Sequence, residues 1–388
     1  MSREKKLWWS FILVVAISFS VLLYYGYKIY QVSPPVPEQV VDADGKVLFT
    51  GQEIRDGQNV WQSIGGQEVG TIWGHGAYVA PDWTADWLHR EALILLDSYA
   101  QQEFSSAYAE LSDEDQAKLQ TRLKNNIRKN TFNEETNTLT IDADRVKAVN
   151  ELSAYYSGLF TDDPQFDQLR KDYAIPKNAI KDPERLHKLN AFFFWATWAT
   201  VTERPGDQVS YTHNWPNEKL VGNEMTMDLL AWSGVSIILL IFCVGALVLW
   251  QVKSAEDDEL LYPAQDPLLR QGITPSMRLT KKYFWIVSLL MLVQVGLGIV
   301  TAHYGVEGDG LYGIPLDQFL PYSVTRTWHT QLAIFWIATA WLATGLYIAP
   351  AVSGKDPKFQ CFGVNFLFIA LLIIVAGSMI GQWFGVMQ

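Results

Sequence analysis

The chain has 388 residues, of which 49% are hydrophobic and 18% charged, and it contains 16 Trp, 17 Tyr and 19 Phe. Its net charge of −11 argues against nucleic acid as a partner, and its two cysteines, Cys243 and Cys361, cannot build a disulfide framework or a CxxC metal site. The many aromatic residues and the near-zero mean hydropathy indicate membrane spans accompanied by a polar domain.

The amino-terminal segment is basic and then apolar. Arg3, Lys5 and Lys6 precede an apolar run from Leu7 to about Tyr27. The apolar region of a cleaved signal peptide is shorter, roughly 7–15 residues, and no small-x-small cleavage site follows this run. We therefore interpret residues 1–30 as a retained membrane anchor with a cytoplasmic amino terminus.

Residues 31–228 are predicted to form a folded, mainly helical domain outside the cytoplasm. Val40 to Thr50 fit a hairpin around Asp44-Gly45, and Thr50 with Glu53 forms a capping box that opens a helix. Ser112, followed by three acidic residues, starts another helix. Further helices are expected at about 84–109, 142–160 and 183–202.

Four more membrane spans follow, which makes five in all. They are predicted at about Leu229–Val252, Tyr283–Tyr304, Trp328–Ala349 and Phe362–Val386. Residues 229–282 would form a linking helix and a cytoplasmic loop, and residues 283–388 a unit of three helices. Lys and Arg cluster in the two loops placed inside, whereas the outside loop 305–327 has Arg326 alone.

His329 is the first candidate functional residue. No charged residue occurs from Trp328 to Ala349, so His329 would stand at the start of an apolar helix. An ionisable group at the membrane boundary indicates function, and haem iron is a natural partner for a neutral imidazole. The alternative is a histidine that anchors the helix end among lipid headgroups. Arg326, one turn earlier, could meet a haem propionate or be an ordinary interfacial arginine.

His303 is the second candidate, because it would lie at the outer end of the adjacent antiparallel helix. The two histidines are expected at the same depth, where they could hold a haem between them. Alternatively, one binds haem and the other meets a redox substrate from the bilayer, or His303 is merely interfacial. Glu307 lies four residues on, and an imidazole with a carboxylate suits quinol, whose oxidation needs proton acceptors.

Two long strings resemble a known family. TRTWHTQLAIFWIATAWLATGLYIAP and FFFWATWATVTERPGDQVSYTHNWPNEKLVGN are similar to the amino-terminal part of quinol-dependent nitric oxide reductases, which belong to the haem-copper oxidase superfamily. The resemblance covers essentially all of the chain. It implies that His329 is an axial ligand of a low-spin haem b and that His303 and Glu307 lie at the quinol site.

The polar domain resembles the cytochrome c subunit of two-subunit nitric oxide reductases. That subunit has a CxxCH haem attachment between a Val-Trp and a Gly-x-Gly-Ala-Tyr; here Val60-Trp61 and Gly74–Tyr78 are present, but residues 66–70 contain no cysteine. We therefore expect a cytochrome-c-like domain without haem c, which fits a membrane quinol as electron donor. The resemblance also implies that Gly76 and Tyr78 help to hold a calcium ion.

The resemblance further implies that two nitric oxide molecules are coupled to nitrous oxide and water in a bacterial inner membrane. The loop charges place residues 31–228 in the periplasm or outside the cell. Electrons would pass from quinol to the haem on His329 and then to a high-spin haem b with a non-haem iron. The ligands of that centre have no counterpart up to Gln388, so we expect them in a further carboxy-terminal part of the enzyme. Two alternatives remain open: a stand-alone haem b electron-transfer protein that uses His303 and His329, and a membrane-anchored binding module.

Overall fold

The computed structural model describes residues 3–77, 80–173, 175–254, 272–307, 312, 314, 316 and 319–387. In chain order the elements are α1 (Arg3–Gln31), β1 (Gln39–Val41), β2 (Val47–Thr50), α2 (Gly51–Ser63), α3 (Trp83–Phe104), α4 (Asp113–Ile127), β3 (Phe132–Asn133), β4 (Thr138–Thr140), α5 (Ala143–Phe160), α6 (Asp167–Asp172), α7 (Pro183–Val201), α8 (Met227–Ser254), α9 (Pro275–Leu279), α10 (Lys281–Glu307), α11 (Tyr322–Ser353) and α12 (Gln360–Met387). Short 3₁₀ turns occupy several of the connections between them.

Five helices in the described part of the chain are long and apolar enough to cross a membrane, which confirms the mainly helical, five-span prediction. They are α1, α8, α10, α11 and α12. Each helix extends a few residues beyond its predicted apolar run, because backbone hydrogen bonding continues through polar turns at the ends. In α1 and α8 the apolar windows contain no buried residue, so within the described ranges they make no packed contact.

The polar domain combines the helices α2–α7 with a small sheet. Its strand order is β2-β1-β4-β3; β1 pairs antiparallel with β2, as the hairpin prediction required, and parallel with β4. The two-residue strand β3 completes the sheet beside β4. The two strands β3 and β4 and the short helix α6 were not predicted from the sequence.

Side-chain caps set the starts of the domain helices. Thr50 and Glu53 form the reciprocal capping box expected at the start of α2, and Ser112 caps α4 by accepting from the Asp115 amide. Asp82 and Asp142 cap α3 and α5 in the same way. The helices predicted in these regions are thus confirmed, and the side-chain caps define where each of them starts.

Aromatic rings fill the interior of the domain between α3, α5 and α7. Trp83 stacks on Phe193 at 5.8 Å between ring centroids, and Trp87 lies parallel to Tyr156 at 5.1 Å. All four side chains are fully buried. The Tyr156 hydroxyl donates to Asp86 at 2.6 Å, and burial raises the pKa of Tyr156 well above its ordinary value.

The helices α10, α11 and α12 form a separate packed unit, in which α10 and α11 make the most extensive contact. Leu290, Leu297 and Leu332 are buried between them. The Tyr283 hydroxyl donates to the Val364 carbonyl of α12 at 2.6 Å, which fixes one end of the unit. In a membrane, lipid can cover apolar side chains as well as a neighbouring helix can. This hydrogen bond between helices therefore adds to the apolar packing that holds the unit together.

The polar domain rests on one end of this three-helix unit. Helix α2 contacts α12, and Ser63 at the end of α2 shares a cavity with Tyr304, Tyr322 and Met387. These two tyrosines and the methionine stand at the ends of α10, α11 and α12, which we call the domain-side ends. The polar domain and the connection between α10 and α11 therefore lie on the same side of the membrane.

Candidate functional site

The His329 imidazole is oriented by a backbone carbonyl of the neighbouring helix. Its Nδ1 lies 2.9 Å from the Gln294 carbonyl oxygen of α10, and a carbonyl can only accept, so Nδ1 carries the proton. The other ring nitrogen, Nε2, is then the neutral, basic one. Histidine ligands of metals usually donate their second nitrogen to a carbonyl or carboxylate in this way. His329 thus has the tautomer and support that an iron ligand needs.

Gly298 allows the ring to come this close to α10. A Cβ atom built on Gly298 would lie 2.8 Å from Cε1 and 3.0 Å from Nδ1 of His329, closer than side chains pack. At Gly296, two residues earlier, an added Cβ meets nothing within 4 Å. The missing side chain at 298 is therefore specific to the contact with the imidazole.

The side chain of Gln294 makes a second contact between this part of α10 and α11. Its Oε1 accepts a hydrogen bond from Trp336 Nε1 at 2.9 Å. Trp336 lies seven residues, or two turns, after His329 and so on the same face of α11. Gln294 consequently holds α10 and α11 in register, and this register keeps its carbonyl opposite the imidazole. Gln294, Gly298 and Trp336 were not identified from the sequence.

Arg326 lies one turn before His329 and is half-buried. Its Nη1 is buried and has no hydrogen-bond partner in the described part of the chain. A buried, unpaired guanidinium nitrogen is costly, and a carboxylate or similar anion would satisfy it. The donor set of His329 with Arg326 thus fits a haem, whose iron takes an imidazole and whose propionates take an arginine.

His303 contacts a tyrosine from the connection between α10 and α11. Its Nε2 lies 3.3 Å from the Tyr312 hydroxyl, and the ring centroids are 4.8 Å apart. Both groups can exchange a proton, so they could share one with a bound hydroxyl compound. Tyr312 was missed in the sequence, where one tyrosine in a polar loop carries no signal. Glu307 is the last residue of α10, and its side chain lies outside the described residues.

The prediction that the two histidines lie at the same depth was wrong. Helix α11 begins at Tyr322 and not at Trp328, because polar residues 322–327 form two helical turns that apolar periodicity does not register. The His329 ring therefore lies against α10 between Gln294 and Gly298, five to nine residues before His303, which corresponds to about 8–13 Å along the axis. Two axial ligands must face each other across one iron, so this offset argues against a haem held by both histidines.

The turn that contains Gly76 is organised around Asp82. This carboxylate accepts from the Thr71 hydroxyl at 2.6 Å and from the Gly74 amide at 2.7 Å, and the Gly76 amide donates to Thr71 Oγ1 at 2.8 Å. Gly76 has a φ of +88°, which favours glycine. Tyr78 lies outside the described residues. Calcium at Gly76 and Tyr78 remains a prediction; within the described ranges, no group of three or more His, Cys, Asp or Glu could hold a metal.

Residues 66–70, the segment without cysteine between Val60-Trp61 and Gly74–Tyr78, pack against tryptophan side chains. Trp61 Nε1 donates to the Gly70 carbonyl at 3.1 Å. A Cβ on Gly70 would overlap the Trp83 indole, which belongs to the stacked aromatic interior. This segment therefore lies directly on the domain core.

Comparison with protein families distinguishes the same two parts of the chain as the fold does, the polar domain and the three-helix unit. Residues 37–217 match the model of the cytochrome c-like domain of the nitric oxide reductase NorB, and residues 278–388 match cytochrome c and quinol oxidase polypeptide I. No curated protein sequence matches the chain. The first match covers most of the polar domain, and the second contains α10–α12 with His303 and His329. The two matches, in this order on one chain, support a nitric oxide reductase of the haem-copper oxidase type.

Proposed function

We propose that the chain is part of a quinol-dependent nitric oxide reductase, in which His329 is an axial ligand of a low-spin haem b. The observation that carries this proposal is the bond from His329 Nδ1 to the Gln294 carbonyl, which leaves Nε2 as the unprotonated nitrogen that can bind iron. The two family matches support the same assignment.

The residues around His329 have separate tasks in this proposal. Gln294 and Gly298 orient the imidazole and fix its tautomer, and Arg326 neutralises a propionate. When bound, the haem supplies a one-electron carrier inside the membrane. In the complete enzyme, this proposal also includes a second ligand to the low-spin haem, a high-spin haem b and a non-haem iron.

Quinol would be oxidised near His303. A quinol gives up two protons with its two electrons, and two electrons with two protons convert two nitric oxide molecules into nitrous oxide and water. In this proposal the His303 imidazole accepts a proton at the domain-side end of α10, the Tyr312 phenol hydrogen-bonds the quinol hydroxyl, and Glu307 is a second proton acceptor.

In this proposal the polar domain carries no haem of its own. The absence of cysteine at residues 66–70 and the stacked rings of Trp83 and Phe193 support this proposal, since a covalent haem needs both thiols and space. We also propose that calcium binds at Gly76 and Tyr78, and that residues 31–228 face the periplasm of a bacterial inner membrane. The lysines and arginines of the loops on the opposite side support this orientation.

Replacing His329 with glutamine in the complete membrane protein tests the assignment. Glutamine offers a neutral amide in place of imidazole, so the low-spin haem signal in the reduced-minus-oxidised spectrum should be lost, and quinol-driven turnover with it. His303→Ala is the matched control, because it removes an imidazole from the adjacent helix and should leave that spectrum intact. A normal low-spin band in His329→Gln would overturn the assignment, and loss of the band in His303→Ala would favour the two-histidine alternative.

A further inference from the structure

A cavity of about 340 Å³ lies between the polar domain and the three-helix unit. This volume falls within the range of ligand pockets, roughly 300–1,000 Å³. Tyr304, Tyr322 and Met387 line it, and each is the domain-side end residue of a candidate membrane span. The cavity therefore sits at the height where hydrocarbon gives way to lipid headgroups.

Three cations line the cavity from the domain side: Lys177, Lys181 and Arg185. Among the described residues, the lining contains a single carboxylate, Asp182, which caps α7 by accepting from the Glu184 amide at 2.9 Å. Between residues 31 and 228, however, Asp and Glu clearly outnumber Lys and Arg. A basic lining on an acidic domain, placed against the membrane, indicates an anionic partner there.

Arg185 is the cation best placed to hold such a partner. It is half-buried and donates through Nη2 to the Ser63 hydroxyl at 2.6 Å, which fixes the position of its planar head. It forms no ion pair within the described ranges, whereas Lys177 is paired with Asp167 at 3.0 Å. The Arg185 guanidinium therefore keeps donors available for phosphate oxygens, which it recognises in a bidentate manner.

The other walls of the cavity are apolar. Val69, Phe160 and Ile175 are buried on the domain side, and the Tyr304 and Tyr322 rings meet edge to face at 5.8 Å on the membrane side. A small inorganic anion would not use these walls, but the glycerol and upper acyl chains of a lipid would cover them. We propose that this cavity binds an anionic phospholipid, with the headgroup phosphate on Arg185.

The test measures lipid binding by the purified protein in a neutral detergent, with titration calorimetry. The probes are dioctanoyl phosphatidylglycerol, dioctanoyl phosphatidylcholine and sodium phosphate. Arg185→Gln should raise the Kd for the phosphatidylglycerol about fivefold, the effect of one cation near an anionic lipid surface. Lys171→Gln is the matched control, because it removes an exposed charge from α6, outside the cavity.

Arg185→Lys tests whether weaker lipid binding comes from loss of the positive charge at position 185 or from a general loss of folding. It keeps the cation but changes the contact with Ser63, so it should bind the anionic lipid more tightly than Arg185→Gln; equal loss in both variants would overturn the proposal. It would likewise fail if Arg185→Gln bound as the wild type does, or if phosphatidylcholine bound as well as phosphatidylglycerol. Sodium phosphate that bound as tightly as the lipid would identify a free-anion site instead. None of these readouts depends on haem or turnover, so the proposed function is tested separately.

Discussion

Gly298→Ala should loosen the proposed haem ligand, His329, without changing the histidine itself. The new Cβ would lie 2.8 Å from Cε1 of His329. Carbon atoms pack at roughly 3.5 Å, so the ring must retreat by roughly 0.7 Å. Moved away from α10 by that amount, Nδ1 would stand about 3.6 Å from the Gln294 carbonyl in place of 2.9 Å, beyond hydrogen-bonding distance.

Loss of such a supporting hydrogen bond typically weakens metal binding about 10- to 100-fold, or about 1.4–2.7 kcal/mol. Gly298→Ala should therefore lower the haem-to-protein ratio after dilution and gel filtration, and it should reduce the low-spin signal. Gly296→Ala is the matched control, since its Cβ meets nothing within 4 Å. If the two variants retained the same haem content and spectrum, the close contact would have no role in holding the ligand, and the reasoning would be refuted.

Arg326→Gln should shift the haem midpoint potential downward, because a positive charge near the propionates is removed; a redox titration that showed an unchanged potential would exclude that neighbourhood. His303→Ala should slow quinol-driven electron entry more than Tyr312→Phe, since the phenol is a hydrogen-bond partner and the imidazole the proton acceptor, and steady-state rates with a soluble quinol would rank them; equal wild-type rates would remove both from the quinol site. Arg145→Met should destabilise the polar domain by about 3–5 kcal/mol, because Glu91, fully buried and 2.6 Å from Arg145 Nε, would lose its partner. Thermal unfolding followed by circular dichroism measures this last effect, and an unchanged midpoint would contradict it.

The parts of the fold that depend on local chemistry could be predicted from the sequence. Thr50 and Glu53 carry their capping box within four residues, and the apolar runs of the five spans are long enough to be unambiguous. Strands β3 and β4 could not be predicted, since they have only two and three residues, and β4 joins the sheet through β1, a partner far away in the chain. Nothing local identifies such short segments as strands.

In the candidate site, too, some residues can be recognised from the local sequence, whereas the role of others depends on how the helices pack. His329 is recognisable because an ionisable residue in an apolar run is rare. The role of Gln294 and Gly298 depends on how α10 is rotated against α11, and the sequence of α10 alone carries no information about that rotation. The expectation of equal depth failed for a related reason. That expectation treated the start of the apolar run as the start of the helix, whereas α11 begins about two turns earlier, at Tyr322.

The parallel pairing of β1 with β4 has a consequence for how the polar domain assembles. Gln39 pairs with Thr138, about a hundred residues later, so the sheet cannot close until α2, α3 and α4 have emerged. Until then the β1–β2 hairpin presents an open edge that could pair with another chain. The domain lies between two candidate membrane spans, α1 and α8, so this interval falls after the first of them has been synthesised and before the second. The first strand of the domain therefore remains unpaired on one edge until β4 has been synthesised.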